Sequence, residues 1–152
     1  MAVGPAAIRV TSMVVLPSDD GTRHAVARFG PTLENPLGFH RLVGGGVEPG
    51  ESARDGAIRE VREELGADLV DVELLGVLEN IFLLDGKPGH EVVFVHTGRL
   101  DPTRAIPPEG GTFADNGDPM PVEWRPVDDS DLALPLHPPG AAALARRAAQ
   151  RD

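Results

Sequence analysis

Apolar residues change their spacing several times along the chain, and each change marks a predicted element. From Ile8 to Leu16 they are β-branched or aliphatic with few breaks, which predicts a strand. Ser18, Asp19, Asp20 and Gly21 then supply turn chemistry, and Ala25, Val26, Ala27 and Phe29 predict a second strand that closes a hairpin with the first. Periodicity is lost from Gly30 to His40, where Pro31 and Pro36 predict a loop leading to Arg41, Leu42 and Val43. The triplet Gly44, Gly45 and Gly46 reads by itself as a turn whose backbone other groups can approach closely.

The spacing becomes helical after Ser52. Ala57, Ile58, Val61 and Leu65 share one face, while Glu60, Glu63 and Glu64, at i, i+3 and i+4, share another. Ser52 is placed to cap the amide of Asp55, and Gly66 follows the last apolar residue as a stop. Beyond it, Leu69, Val70, Val72, Leu74, Leu75, Val77 and Leu78 predict strand, and Asp85 to Gly89 a turn. Glu91 to Thr97 is a run fit for a strand buried on both faces, with His90 and His96 as strand or turn residues. Leu100 to Pro121, rich in proline and glycine, predicts a long loop with no regular element. Val122 to Val127 predicts a last strand with Trp124 in the core, Asp128 to Leu134 a short helical turn, and Gly140 onward a terminal helix on which Arg146, Arg147 and Arg151 form a solvated face.

Composition narrows the function. The 152 residues suit one domain, spanning 1–152 with its core at about residues 8–149. With 14 Lys plus Arg against 24 Asp plus Glu, the formal net charge of −10 has the wrong sign for gripping polymeric nucleic acid. Cysteine is absent, which excludes disulfides, thiolate metal sites and thiol nucleophiles. No membrane segment or leader is visible, so a cytoplasmic protein is the expectation. Oligomeric state is not written in the sequence, and a homodimer is carried forward as one option.

Like charges clustered on one helix face repel, and a divalent cation relieves the repulsion. Carboxylate oxygens suit Mg²⁺, with Mn²⁺ as a substitute. A purely solvated acidic face is the competing reading of such a run taken alone. Here it sits in a longer pattern: Gly45, Glu51, Arg59, Glu60, Glu63, Glu64 and Gly66, at spacings that resemble the Nudix box from Gly45 to Ala67. All the fixed identities of that box are present, a coincidence on the order of one in a hundred million per start position. The last position, usually a bulkier aliphatic residue, is Ala67 here.

The resemblance implies an α/β fold, a Nudix-like α/β/α sandwich around a mixed β-sheet. It implies metal-dependent hydrolysis of a pyrophosphate linkage in a small nucleotide-type substrate by water attack at phosphorus. Glu60, Glu63 and Glu64 would bind metal together with the Gly44 carbonyl, and Glu60 or Glu64 would also be the base. Arg59 would orient a box carboxylate, with Glu51 as its outer partner. Gly45, Gly46, Arg28 and Arg41 are the candidate substrate contacts. Glu109, ahead of Asp115 and Asp118, is the candidate for a further catalytic acid beyond the box. A nucleotide-binding sensor with the same fold and little turnover is the alternative function.

Overall fold

The computed structural model describes residues 7–129 and 133–151. In chain order they form β1 (Arg9–Val15), β2 (Arg23–Phe29), β3 (Phe39–Arg41), β4 (Val43–Gly46), α1 (Ala53–Leu65), β5 (Asp68–Leu84), β6 (Lys87–Asp101), β7 (Gly111–Asp115), β8 (Asp118–Pro126), β9 (Leu136–His137) and α2 (Ala141–Ala149). Two mixed sheets result, ordered β4-β1-β6-β5 and β7-β8-β2-β3-β9. Strand alternation divides the interior. Val14, Ala25, Ala27 and Val43 pack with Ala57, Val61 and Leu65 of α1, whereas Met13, Val15, Val26 and Leu42 pack with Ala141, Leu144 and Ala145 of α2. The sheets therefore lie between two helices, as the α/β/α expectation requires. No helix among the described residues is long and apolar enough to cross a membrane.

The box helix starts and stops where its sequence signals. Ser52 accepts a hydrogen bond from the Asp55 amide at 3.1 Å, and Gly66, at φ 65°, ends the helix in the left-handed region. Ala67 is buried, so the small residue at this last box position is accommodated.

Several expectations are corrected. The first two strands do not pair as a hairpin: β1 has β4 on one side and β6 on the other, and only an isolated bridge, Pro17 to His24, links the two strand ends. Both edges of β1 are occupied, and Pro17 lacks the amide that a continuing ladder needs. The glycine triplet is not a turn but strand β4. Gly44 has φ 147°, and a Cβ there would lie 2.2 Å from the Ser12 carbonyl oxygen, so glycine permits a close strand pairing.

The expected loop from Leu100 to Pro121 contains the β7–β8 hairpin, closed by Asn116 and Gly117 at φ 50° and 85°. Pro119 and Pro121 lie before Val122, where pairing with β2 begins, so that stretch of β8 has one neighbouring strand and tolerates the missing amides. The turn expected over Asp85 to Gly89 is only Asp85 and Gly86, with Lys87 already in β6. The run Glu91 to Thr97 is not closed on both sides: Val93 and Val95 are fully buried, but Val92 and Phe94 are only half-buried. The helical turn expected over Asp128 to Leu134 crosses residues 130–132, which lie outside the described residues.

Candidate active site

The site is built where β4 meets α1. Ser12 of β1 donates from Oγ to the Ala53 carbonyl at 2.7 Å and meets His96 Nδ1 of β6 at 3.2 Å, tying both strands to the first residue of the helix. The next turns of α1 then present their acids to the glycine strand. A Cβ at Gly45 would come within 2.7 Å of the Glu60 carboxylate, so the side chain of Glu60 packs directly on bare backbone.

Arg59 is the hub. Its guanidinium donates through Nε to Glu51 Oε2 at 2.8 Å and through Nη2 to Glu51 Oε1 at 2.9 Å, a bidentate pair. Nη2 also donates to the Gly46 carbonyl at 2.9 Å, and Nη1 reaches Glu60 and Glu63, each at 3.1 Å. The Arg59 hydrogen bonds hold the Glu51 carboxyl below its ordinary range, and the Glu51 pair, ahead of Glu60, keeps the guanidinium firmly protonated. Arg59 thus fixes the acids while neutralising part of their charge.

Glu64 differs from its neighbours. It is 5% exposed, and neither carboxylate oxygen accepts a hydrogen bond from a donor; its polar neighbour is the Glu60 carboxylate, with which a proton on Glu64 is shared. Burial, then the adjacent Glu60, pushes its pKa up to about 9, with Asp115 adding to the rise and Arg41 opposing it. Glu63 is the most solvated of the three, with its side chain 56% exposed. Among the described residues no three carboxylate or imidazole groups converge to enclose an ion by themselves. Two carboxylates standing side by side are the kind of oxygen donors that a hard divalent cation takes, with its remaining positions left to water and phosphate. The orphaned Glu64 oxygens beside Glu60 are therefore a donor set that fits a hard divalent cation.

The other candidates divide. Arg41 donates to the Gly44 carbonyl at 3.1 Å, sits 4.7 Å from the Phe29 ring centroid, and lies near enough to act on Glu64. Arg28 pairs with Glu123 at 3.1 Å and lines a cavity of about 490 Å³ with Phe29, Asp115 and Asp118. A larger cavity of about 980 Å³ lies at the other end of β2, around Arg23 and Trp124; no box residue lines either cavity. Asp115, on the wall of the smaller one, is also a charge that acts on Glu64. Glu109 is exposed in the connection before β7, and no hydrogen bond or ion pair joins it to the box. Asp115, at the end of β7, is the acid of that region whose charge Glu64 feels; Asp118 lies exposed across the turn from it. The signal for this arrangement was the Asn116–Gly117 turn, which places the end of β7 at Asp115.

The NUDIX domain family model matches residues 8–147. The chain belongs to the NUDIX domain family. As a Nudix-type pyrophosphohydrolase it acts on phosphorus anhydrides. Solved structures share its fold. A MutT NUDIX hydrolase from Burkholderia pseudomallei is 23% identical, with 93% of this chain and 97% of that one covered and a TM-score of 0.59. An ADP compounds hydrolase is 21% identical over 93% and 72% of the two chains, with a TM-score of 0.60. An ADP-ribose pyrophosphatase from Streptococcus suis is 18% identical over 96% and 95%, with a TM-score of 0.55.

Proposed function

We propose that this Nudix chain hydrolyses a pyrophosphate linkage in a small nucleotide-type substrate with Mg²⁺, or Mn²⁺ in its place, held at Glu60 and Glu64. The observation that carries the reading is the buried Glu64 carboxylate with neither oxygen meeting a hydrogen-bond donor. An ionised group in that setting is costly unless a cation meets it. When bound, the cation supplies Lewis-acid chemistry, neutralising phosphate oxygens and making water more acidic.

The chain's own residues supply the rest. Glu60 and Glu64 anchor the ion, with Glu63 and the Gly44 carbonyl as further oxygens at the same end of the helix. Arg59, held by Glu51, keeps Glu60 in one orientation, so the acids need little reorganisation when substrate arrives. Arg41 and Arg28 contact the anionic substrate, the first beside Glu64 and the second from the cavity wall. The proton of the attacking water goes to Glu60 or Glu64, or to Asp115, which takes the place of Glu109 as the acid outside the box. Asp115 has no ion-pair partner among the described residues and so keeps its lone pairs available.

A screen by product mass, with Mg²⁺ and with Mn²⁺, tests the proposal. ADP-linked compounds come first, followed by dinucleoside polyphosphates, nucleotide sugars and nucleoside triphosphates. A cleaved anhydride that disappears with chelator supports the reading. Saturable binding without product would instead favour the sensor.

A further inference from the structure

We propose that the outer face of the β4-β1-β6-β5 sheet, beyond the reach of α1, is the contact surface of a symmetric homodimer. Cross-strand register places Val10 opposite Val92 and Val92 opposite Glu79, then Phe94 opposite Val77 and His96 opposite Leu74. Further along, Ile81 faces His90 and Leu83 faces Pro88. Directly paired residues point to the same side of a sheet, so these positions form one surface. On that surface Ile8, Val10, Leu74, Val77, Ile81 and Leu83 range from 42% to 72% exposed.

The opposite side of the same strands is closed. Val93 and Val95 are fully buried there against the cluster that includes α2. Helix α1 covers the first side around Val14, Val43, Leu69 and His96, and beyond them leaves Val77, Ile81 and Leu83 exposed with Val92 and Phe94 only half-buried. Strands that are apolar on both faces belong to sheets covered on both faces, and here one cover is missing.

Two features select a second copy of this chain as the cover. The six side chains expose about 600 Å² together, at the top of the range for a monomer's largest apolar patch; two such patches give about 1,200 Å², the lower bound of a specific interface. The surface is also nearly free of charge: of the paired positions above, only Glu79 is acidic. Two chains of formal charge −10 repel across most approaches, and this face is where they can meet with little repulsion.

Sedimentation velocity over a concentration series tests this on the full chain. The parent should sediment at twice the chain mass. Ile81→Asp and Val77→Asp should each sediment as monomers with unchanged circular dichroism and turnover. Leu84→Asp, at a position 44% exposed on the side of β5 opposite Leu83, should remain dimeric. A parent that stays monomeric throughout, or a dimer that survives both aspartate variants, overturns the proposal.

Discussion

Arg125 and Glu64 are both buried ionic side chains, 2% and 5% exposed, yet their surroundings are opposite. Arg125 on β8 donates to Asp129 at 3.0 Å, to the Leu134 carbonyl, and to His40 Nδ1 at 3.0 Å. His40 then carries its proton on Nε2 and donates it to Glu123 at 2.8 Å, and Glu123 holds Arg28. Every step has a partner. Glu64 has no donor. A charge buried to hold a fold is met by the fold, whereas Glu64 is left for something the chain does not supply. Burial therefore does not mark a catalytic acid, nor does a missing donor alone, since His24 Nδ1 and Asn80 Oδ1 also lack one; what sets Glu64 apart is a second carboxylate, Glu60, beside it.

The sharpest way to break this contrast is Glu64→Gln. Turnover should fall about 1,000-fold or more at saturating Mg²⁺, because the ligand charge is gone. The metal-free protein should gain about 1–3 kcal/mol in a denaturant titration, since an uncompensated buried acid has been removed. Arg125→Met should do the reverse, costing about 3 kcal/mol by stranding Asp129 and His40. Its specific activity per folded molecule should stay near the parent's. A destabilised Glu64→Gln with near-parental turnover would erase the distinction.

The two regions should also respond oppositely to pH. Glu64 has a folded pKa of about 9 against an ordinary 4.5, so the folded metal-free state keeps a proton that the unfolded state loses. Its contribution is fully present below about 4.5 and declines as pH rises toward 9. His24, beside Arg125, is pushed down from 6.5 to about 4 by burial first and then by the Arg125 charge. There the unfolded state takes up the proton first, so stability is lost as pH falls from 6.5 toward 4, on the order of a few kcal/mol. Chelated protein should thus show a stability maximum between the two limbs, and added Mg²⁺ should lift only the alkaline limb. Equal lifting of both limbs would mean that the ion binds elsewhere.

How much of this was legible depended on how local the cause is. The box helix was readable to the residue because Ser52, Gly66 and the three glutamates act within a few turns of one another. Arg59 and Glu51 were expected together only from the resemblance to the Nudix box, since they stand eight residues apart across the helix start, and the structure pairs them. The β1–β2 hairpin was misread because turn residues at Ser18 to Gly21 say that the chain reverses, not which strand each arm will join. The β7–β8 hairpin was hidden by its prolines, although Asn116–Gly117 was a strong turn signal, and with it went the position of Asp115. Arg125 left no trace in the sequence, since its burial is created by residues far from it in the chain, His40 among them.

The smallest expected effect separates the roles left open around Glu64. Asp115 raises the Glu64 pKa through its charge, so Asp115→Asn should let Glu64 ionise more readily. The pH midpoint of Mg²⁺ binding should then move down by a few tenths of a unit, as metal competes with one less reluctant proton. If Asp115 acts only through this field, kcat above the midpoint should change about twofold or less. If it takes the proton of the attacking water, kcat should drop about 100-fold across the whole range, since general base catalysis is worth roughly that much. Glu109→Gln should leave both the midpoint and kcat at parental values. A loss of turnover in Glu109→Gln with none in Asp115→Asn would return the outside acid to the connection before β7 and leave Asp115 as a spectator of the Glu64 titration.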